Sequence, residues 1–169
     1  MKTNAARILD GLGIAYRLQE YEVDPNNPDD LRATSVAAKI GMPPEQVIKT
    51  LLCAVGGGDY VFAVVPGDAE LDFKKLARAA GVRKAEMAAL KDVQPLTGYI
   101  RGGVTVFGAK KAYSAFVDET IEFFDEISVS AGHRGVQIVL SPAEYLRATG
   151  ATLADLTKDI TKGDTRNDA

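Results

Sequence analysis

The chain has 169 residues, 46% of them hydrophobic and 25% charged, enough for one real hydrophobic core, short for two, and incompatible with global disorder. A single cysteine, Cys53, and a single histidine, His133, exclude a disulfide framework and a Cys/His zinc cage. A net charge of −3, no apolar run near the roughly 18 residues of a membrane span, and Asp10 where a signal peptide needs apolar residues predict a cytoplasmic protein with no metal, cofactor, membrane or DNA partner.

Residues 5–12 form a short helix stopped by Gly11 and Gly13, and 14–22 alternate as a strand with Ile14, Tyr16 and Leu18 on one side. The polar run 24–30, broken by Pro25 and Pro28, reads as a loop; Thr34 or Ser35 then caps a helix ending at Gly41, ahead of Pro43 and Pro44. Residues 47–55 and 60–65 are apolar and β-rich and close into a hairpin across Gly56, Gly57, Gly58 and Asp59. A helix runs from Asp72 to Ala80, stopped by Gly81, and a second short helix covers 84–90. Residues 98–108, glycine-rich and poor in helix formers, read as a loop with a short strand. Strands follow at 114–117, 126–130 and 136–140, the last two joined as a hairpin, and Pro142 opens a final helix ended at Gly150. One unit over 1–160 is expected, then a frayed polar tail, 161–169, without apolar anchors. Helices interspersed with hairpins predict a mixed α/β sheet with packed helices rather than a doubly wound parallel fold.

Charge is unevenly distributed. Residues 74–111 hold nine cations against Glu86 and Asp92, between acidic flanks, which suits either one phosphate-binding face or a set of solvated helix faces.

Lys49 is the residue that local pattern explains least. Strand periodicity puts it on one face with Val47, Leu51, Cys53 and Val55, while Ile48, Leu52 and Ala54 make the other face apolar too. An ammonium is almost never fully buried unpaired, so Lys49 either faces a cleft, snorkels near a strand end, or protects an edge strand. Gly102 and Gly103 let backbone N–H groups approach a carbonyl closely, although a plain turn explains them as well. Ser130, Gly132, His133 and Arg134 cluster in one turn and form a polar rim. A Ser130, His133 and Asp125 triad lacks a nucleophile elbow, and Cys53 in an apolar strand is better read as inert core.

Taken in order, Tyr21-Glu22, Gln46-Val47-Ile48-Lys49-Thr50-Leu51, Leu71-Asp72-Phe73-Lys74-Lys75-Leu76, Thr97-Gly98-Tyr99-Ile100-Arg101-Gly102-Gly103 and Ser130-Ala131-Gly132-His133-Arg134-Gly135 resemble the YbaK-type aminoacyl-tRNA deacylases, related to the editing domain of prolyl-tRNA synthetases. The similarity runs from the first helix to about Asp159 and is nearest the Cys-tRNA(Pro)/Cys-tRNA(Cys) branch. It implies a mixed, partly barrel-like β-sheet surrounded by short helices. It further implies that Lys49 is the essential lysine beside the aminoacyl ester, that Gly102 begins the loop whose backbone holds the aminoacyl group, and that Tyr21, Gly103, Ser130 and Gly132 lie on the substrate side. In the cysteine branch the substrate's own thiol serves as nucleophile, so no protein nucleophile is required. Lys74, Lys75, Lys110, Lys111 and Arg134 are our candidates for tRNA phosphate contacts.

Four positions depart from the family pattern. Val106 replaces the loop's proline, Ala131 and His133 replace the common glycine and lysine, and Gln137 replaces an aspartate of the cysteine-specific members. The expected activity is trans-editing of mischarged tRNA, Cys-tRNA(Pro) first, with the aminoacyl-tRNA acceptor end and prolyl-tRNA synthetase as partners. Val106 and Gln137 keep a second reading open, a non-catalytic tRNA- or synthetase-binding module of the same fold, and a hydrolase built on Ser130 and His133 is a third.

Overall fold

The structure is a computed structural model that describes residues 2–159; the expected tail at 161–169 lies outside them. Helix α1 (Asn4–Gly11) starts where the Thr3 hydroxyl accepts the Ala6 N–H, and its Ala5, Ala6 and Leu9 are buried. Strand β1 (Arg17–Glu20) occupies only the middle of the alternating segment. A 3₁₀ turn, Pro28–Leu31, leads into α2 (Ala33–Ile40).

The hairpin of β2 (Ile48–Ala54) and β3 (Tyr60–Pro66) is antiparallel from Ile48 opposite Pro66 to Ala54 opposite Tyr60. Gly56, Gly57 and Gly58 all hold positive φ in its turn, a run of conformations that side chains with a Cβ resist. Alternation sends Leu51, Cys53, Ala63 and Val65 to one face, against Leu76 and Ala77 of α3 (Phe73–Ala80). Ile48 and Val64 point the other way, into the main core. Asp72 caps α3 by accepting from the Lys74 and Lys75 N–H groups, and Gly81 ends it in the left-handed region.

The remaining elements are β4 (Glu86–Met87), α4 (Leu90–Thr97), β5 (Ala115–Asp118), β6 (Ile127–Ser130), β7 (Val136–Leu140), α5 (Pro142–Thr149) and β8 (Thr152–Ala154). They complete two sheets. One has the order β4-β2-β3-β5-β8, with β5 parallel to both neighbours; the other has the antiparallel order β1-β7-β6. A parallel bridge between Val47 and Ser128 joins them, and residues of both sheets share one core around Ile48, Val129, Ile138 and Tyr145. The mixed sheet with short helices is as expected; the sheets meet at this seam without closing into a barrel.

Local expectations fail where tertiary pairing overrides them. Residues 84–90 are not a helix, because Glu86 and Met87 pair with Ala54 and Cys53 on the edge of β2 and the Ala88 N–H donates to the Leu52 carbonyl. The helix begins at Leu90 instead and tolerates Pro95 in its last turn, where one N–H is forfeited. The 98–108 segment contains turns and no strand. Neither Thr34 nor Ser35 caps α2: Arg32 occupies that position without a side-chain cap, and the Ser35 hydroxyl donates to Asp30.

Candidate functional site

A cavity of about 490 Å³ opens beside the first half of β2. Its walls are Leu31, Arg32, Ala33 and Val36 at the start of α2, Val47–Leu52 along β2, Met87 and Ala88 at β4, Leu90 and Val93 on α4, Arg101, Gly102 and Val104 but not Gly103, and Ser130 with Gln137. The opening follows from strand pairing. β4 covers β2 at Cys53 and Ala54, and the Val47–Ser128 bridge meets the start of the strand, so the edge faces the cavity only between these two contacts. The Leu52 carbonyl accepts the Ala88 N–H on that outer side, while its partner across the hairpin, Phe62, sends its own N–H the opposite way to Ser114. Backbone groups two residues apart share a side, so the Thr50 N–H and C=O also face outward, toward the cavity that Thr50 lines.

Lys49 lines the same cavity and is partly buried. Its ammonium makes a long hydrogen bond, 3.4 Å, to the Gly67 carbonyl. Burial pulls its pKa below the ordinary lysine value; Asp68 and Glu70 oppose that shift and Arg32 adds to it. An ammonium has three donors, so a single long bond leaves capacity for a substrate oxygen. Gly67 is fixed by space rather than conformation: a Cβ there would lie 2.6 Å from the Val47 carbonyl oxygen and 2.7 Å from the Ala33 Cβ. Sequence pattern offers no signal for it, since its constraint arises from packing between α2 and the entry to β2.

Gly102 lines the cavity at φ +88°, and the Gly103 N–H donates to the Ile100 carbonyl at 2.8 Å. That bond with a positive φ at Gly102 defines a type II turn, in which Gly102 is the position that requires glycine. The Gly103 amide is therefore consumed by the turn and is no donor to a ligand, contrary to the expectation for the pair. The Gly102 amide donates no hydrogen bond among the described residues. A Cβ on Gly103 would approach the His133 and Arg134 backbone nitrogens at 3.3 and 3.5 Å, so the structure packs the two glycine-containing turns directly together.

The other expected residues separate. Ser130 lines the cavity, its hydroxyl accepting the Gly132 N–H at 3.1 Å. Opposite Ser130 across the β6–β7 ladder, Gln137 is buried and accepts a hydrogen bond from the Ser128 hydroxyl at 2.7 Å, giving that wall a neutral polar surface. Gly132 does not line the cavity; its φ of +87° and the Tyr99 ring, 2.8 Å from where a Cβ would be, explain the residue. Tyr21 also lies off the cavity, packed with Val36, Ala37 and Val47 beneath α2. The His133 ring hydrogen-bonds the Arg134 carbonyl, so Ser130 and His133 each engage backbone rather than one another. Cys53 is fully buried and its thiol is pushed up to about 12, which makes it inert.

Among the cations, Lys75 is committed to Asp155, Asp159 and the Thr157 carbonyl, because α3 lies against the C-terminal segment. Lys74, Lys110 and Lys111 do not line the cavity. Arg32 and Arg101 do, with Lys49, and no carboxylate among the described residues does. The cavity is thus an apolar chamber with a cationic rim, an exposed strand edge and one unengaged glycine amide. Such a chamber can seat an acyl group and polarise its carbonyl.

A family model of the aminoacyl-tRNA editing domain matches residues 28–148. The Enterococcus faecalis protein named "Putative Cys-tRNA(Pro)/Cys-tRNA(Cys) deacylase EbsC" is 42% identical over 156 residues, covering 92% of this chain and 93% of its own. The Escherichia coli multifunctional Ser/Thr-tRNA deacylase ProXp-y is 32% identical over 106 residues, 60% of this chain and 64% of its own. A crystal structure described as "a putative trans-editing enzyme for prolyl tRNA synthetase" superposes with a TM-score of 0.79 at 26% identity, covering 94% of this chain and 99% of that one.

Proposed function

Because this chain belongs to the aminoacyl-tRNA editing domain family, we propose that it is a trans-editing deacylase that cleaves the ester of mischarged tRNA, with Cys-tRNA(Pro) as its preferred substrate. The observation that carries this reading is Lys49, a partly desolvated ammonium in a cavity that also holds the Gly102 amide. The acyl carbonyl is positioned between these two donors, and negative charge developing on its oxygen is stabilised by both. The Thr50 strand edge meets the amino group, its carbonyl acting as acceptor where a carboxylate is missing from the walls. With cysteine as the acyl group, the substrate thiol gives up its proton and bonds to the carbonyl carbon. The ester C–O bond then breaks and the tRNA 3′-oxygen takes up the proton released by the thiol, leaving a free 3′-hydroxyl and a thiolactone. With other acyl groups water takes the thiol's part and the product is the free amino acid. The reaction uses no metal or cofactor.

Editing in trans supplies discrimination that a synthetase pocket lacks, since one methylene is worth only about 1–3 kcal/mol of selectivity. Residues 1–160 act as one editing unit in the cytoplasm, alongside prolyl-tRNA synthetase.

The test is deacylation of labelled Cys-tRNA(Pro), Ala-tRNA(Pro), Ser-tRNA(Pro) and Pro-tRNA(Pro). Cys-tRNA(Pro) is expected to be cleaved fastest and Pro-tRNA(Pro) left intact, with a loss of about 100-fold or more in Lys49→Ala, the scale of removing one well-placed oxyanion donor. Turnover no faster than in buffer, or indifference to Lys49→Ala, would falsify the reading. Retention of tRNA without turnover favours instead a binding module, the alternative suggested by Val106 and Gln137.

A further inference from the structure

A second groove continues from the Lys49 cavity. Its volume is about 580 Å³, and it shares Leu31, Leu90, Val93 and Arg101 with the first, so the two form one continuous channel. Three elements bring cations to it: Lys91 from α4, Arg101 from the glycine turn and Arg134 from the β6–β7 turn. No carboxylate among the described residues lines it. All three side chains are exposed, and none joins an ion pair among the described residues. The Arg134 Nε donates to the Arg101 carbonyl at 2.8 Å, which fixes that guanidinium across the groove and leaves its terminal nitrogens for a ligand.

The groove is also apolar where bases would lie. Met87, Leu90 and Ile100 are exposed large hydrophobic residues, and all three sit along this channel. A duplex backbone needs cations alone. Cations alternating with exposed apolar surface match a single strand, whose phosphates and unstacked base faces both need partners.

We propose that this groove holds the unpaired nucleotides immediately 5′ of the aminoacylated one, with phosphates on Lys91, Arg101 and Arg134 and base faces on Leu90, Pro95 and Ile100. The assignment rests on the editing reading for the identity of its strand. It replaces Lys74, Lys75, Lys110 and Lys111, which line neither cavity, as the principal tRNA contacts, and retains Arg134.

The experiment compares wild type with the double variant Lys91→Gln, Arg134→Gln on three esters of one amino acid: the full tRNA, the trinucleotide CCA, and adenosine. The expected result is a loss in kcat/KM on the tRNA and on CCA at least tenfold greater than on adenosine, carried by KM. The slope of log kcat/KM against log salt for CCA should flatten by about 1.4, at about 0.7 per single-strand phosphate. Equal losses on all three esters, no loss, or a loss on the tRNA but not on CCA overturn the proposal, the last pointing to the duplex stem. Anisotropy of a fluorescent, uncharged ACCA oligonucleotide separates the two claims. Salt-sensitive binding that the double variant loses, without turnover of any ester, leaves the groove standing and removes the editing reading. Absence of such binding, with turnover intact, removes the groove alone.

Discussion

Lys49 is charged at a position that penalises charge, and the sign of the penalty can be tested. Its folded pKa lies below the ordinary 10.5, with burial the largest cause. The unfolded chain therefore binds the proton more tightly, and the wild type gains stability as pH rises through the lowered value toward 10.5. Lys49→Met keeps the apolar stem and removes the charge. Calorimetry at pH 7 should show a higher Tm for Lys49→Met than for wild type, with the gap closing toward pH 10. Deacylation above the spontaneous rate should fall over that same interval as the ammonium is lost. A lower Tm for Lys49→Met at pH 7 would mean that the lysine is held by net favourable contacts, not against its solvation. This residue was legible in the sequence because a cation interrupts two apolar faces of one strand. Gly67 and Thr50 were not, because packing against α2 defines one and the shortness of β4 defines the other.

Elements whose own residues carry the decision were the readable ones. Asp72 and Gly81 bracket α3, three glycines turn the β2–β3 hairpin, and runs rich in β-branched residues mark β6 and β7. β4 and β8 are two and three residues long and exist only because an edge accepts them, so no periodicity can announce them. α4 carries Pro95, which argues locally against a helix. The loop before α2 forms one wall of the groove, and Asp30 holds it. The Asp30 carboxylate takes hydrogen bonds from the Lys39 ammonium, the Asp24 N–H and the Ser35 hydroxyl, while Lys39 also reaches the Glu22 carbonyl. Lys39 first, then the Asp24 amide and Ser35, draw the Asp30 pKa down to about 2. A depressed carboxylate stabilises the fold above its unfolded pKa of about 4 and loses that contribution as pH falls through the folded value. Asp30→Asn should therefore melt below wild type at pH 7, and the difference should shrink between about pH 4 and pH 2. A constant difference across that range would show that the loop is held by shape, not by this charge.

At the scale of the molecule, the site depends on two sheets meeting at a single bridge, with the core shared by both sheets on one face of the β2–β3 hairpin and α3 with the C-terminal segment on the other. That second side is tied through Asp118, at the end of β5 and almost fully buried. Its carboxylate accepts the Leu156 N–H at 2.9 Å and bonds from both the N–H and the hydroxyl of Thr120. The Leu156 carbonyl in turn accepts the Asp72 N–H at 2.7 Å, so one chain of polar contacts runs from the sheet through the segment after β8 to the cap of α3. Removing the acceptor leaves a buried amide unsatisfied, which costs about 1–3 kcal/mol. Asp118→Ala should lose at least that much in urea denaturation. Asp118→Asn, which keeps one acceptor for Leu156 but turns a donor amide instead of an acceptor toward Thr120, should lose less. None of these residues lines the channel, so both variants should retain Lys49-dependent deacylation well below their melting temperatures. A variant that stayed folded but lost turnover would show that the cavity is coupled to α3 through the shared β2–β3 hairpin.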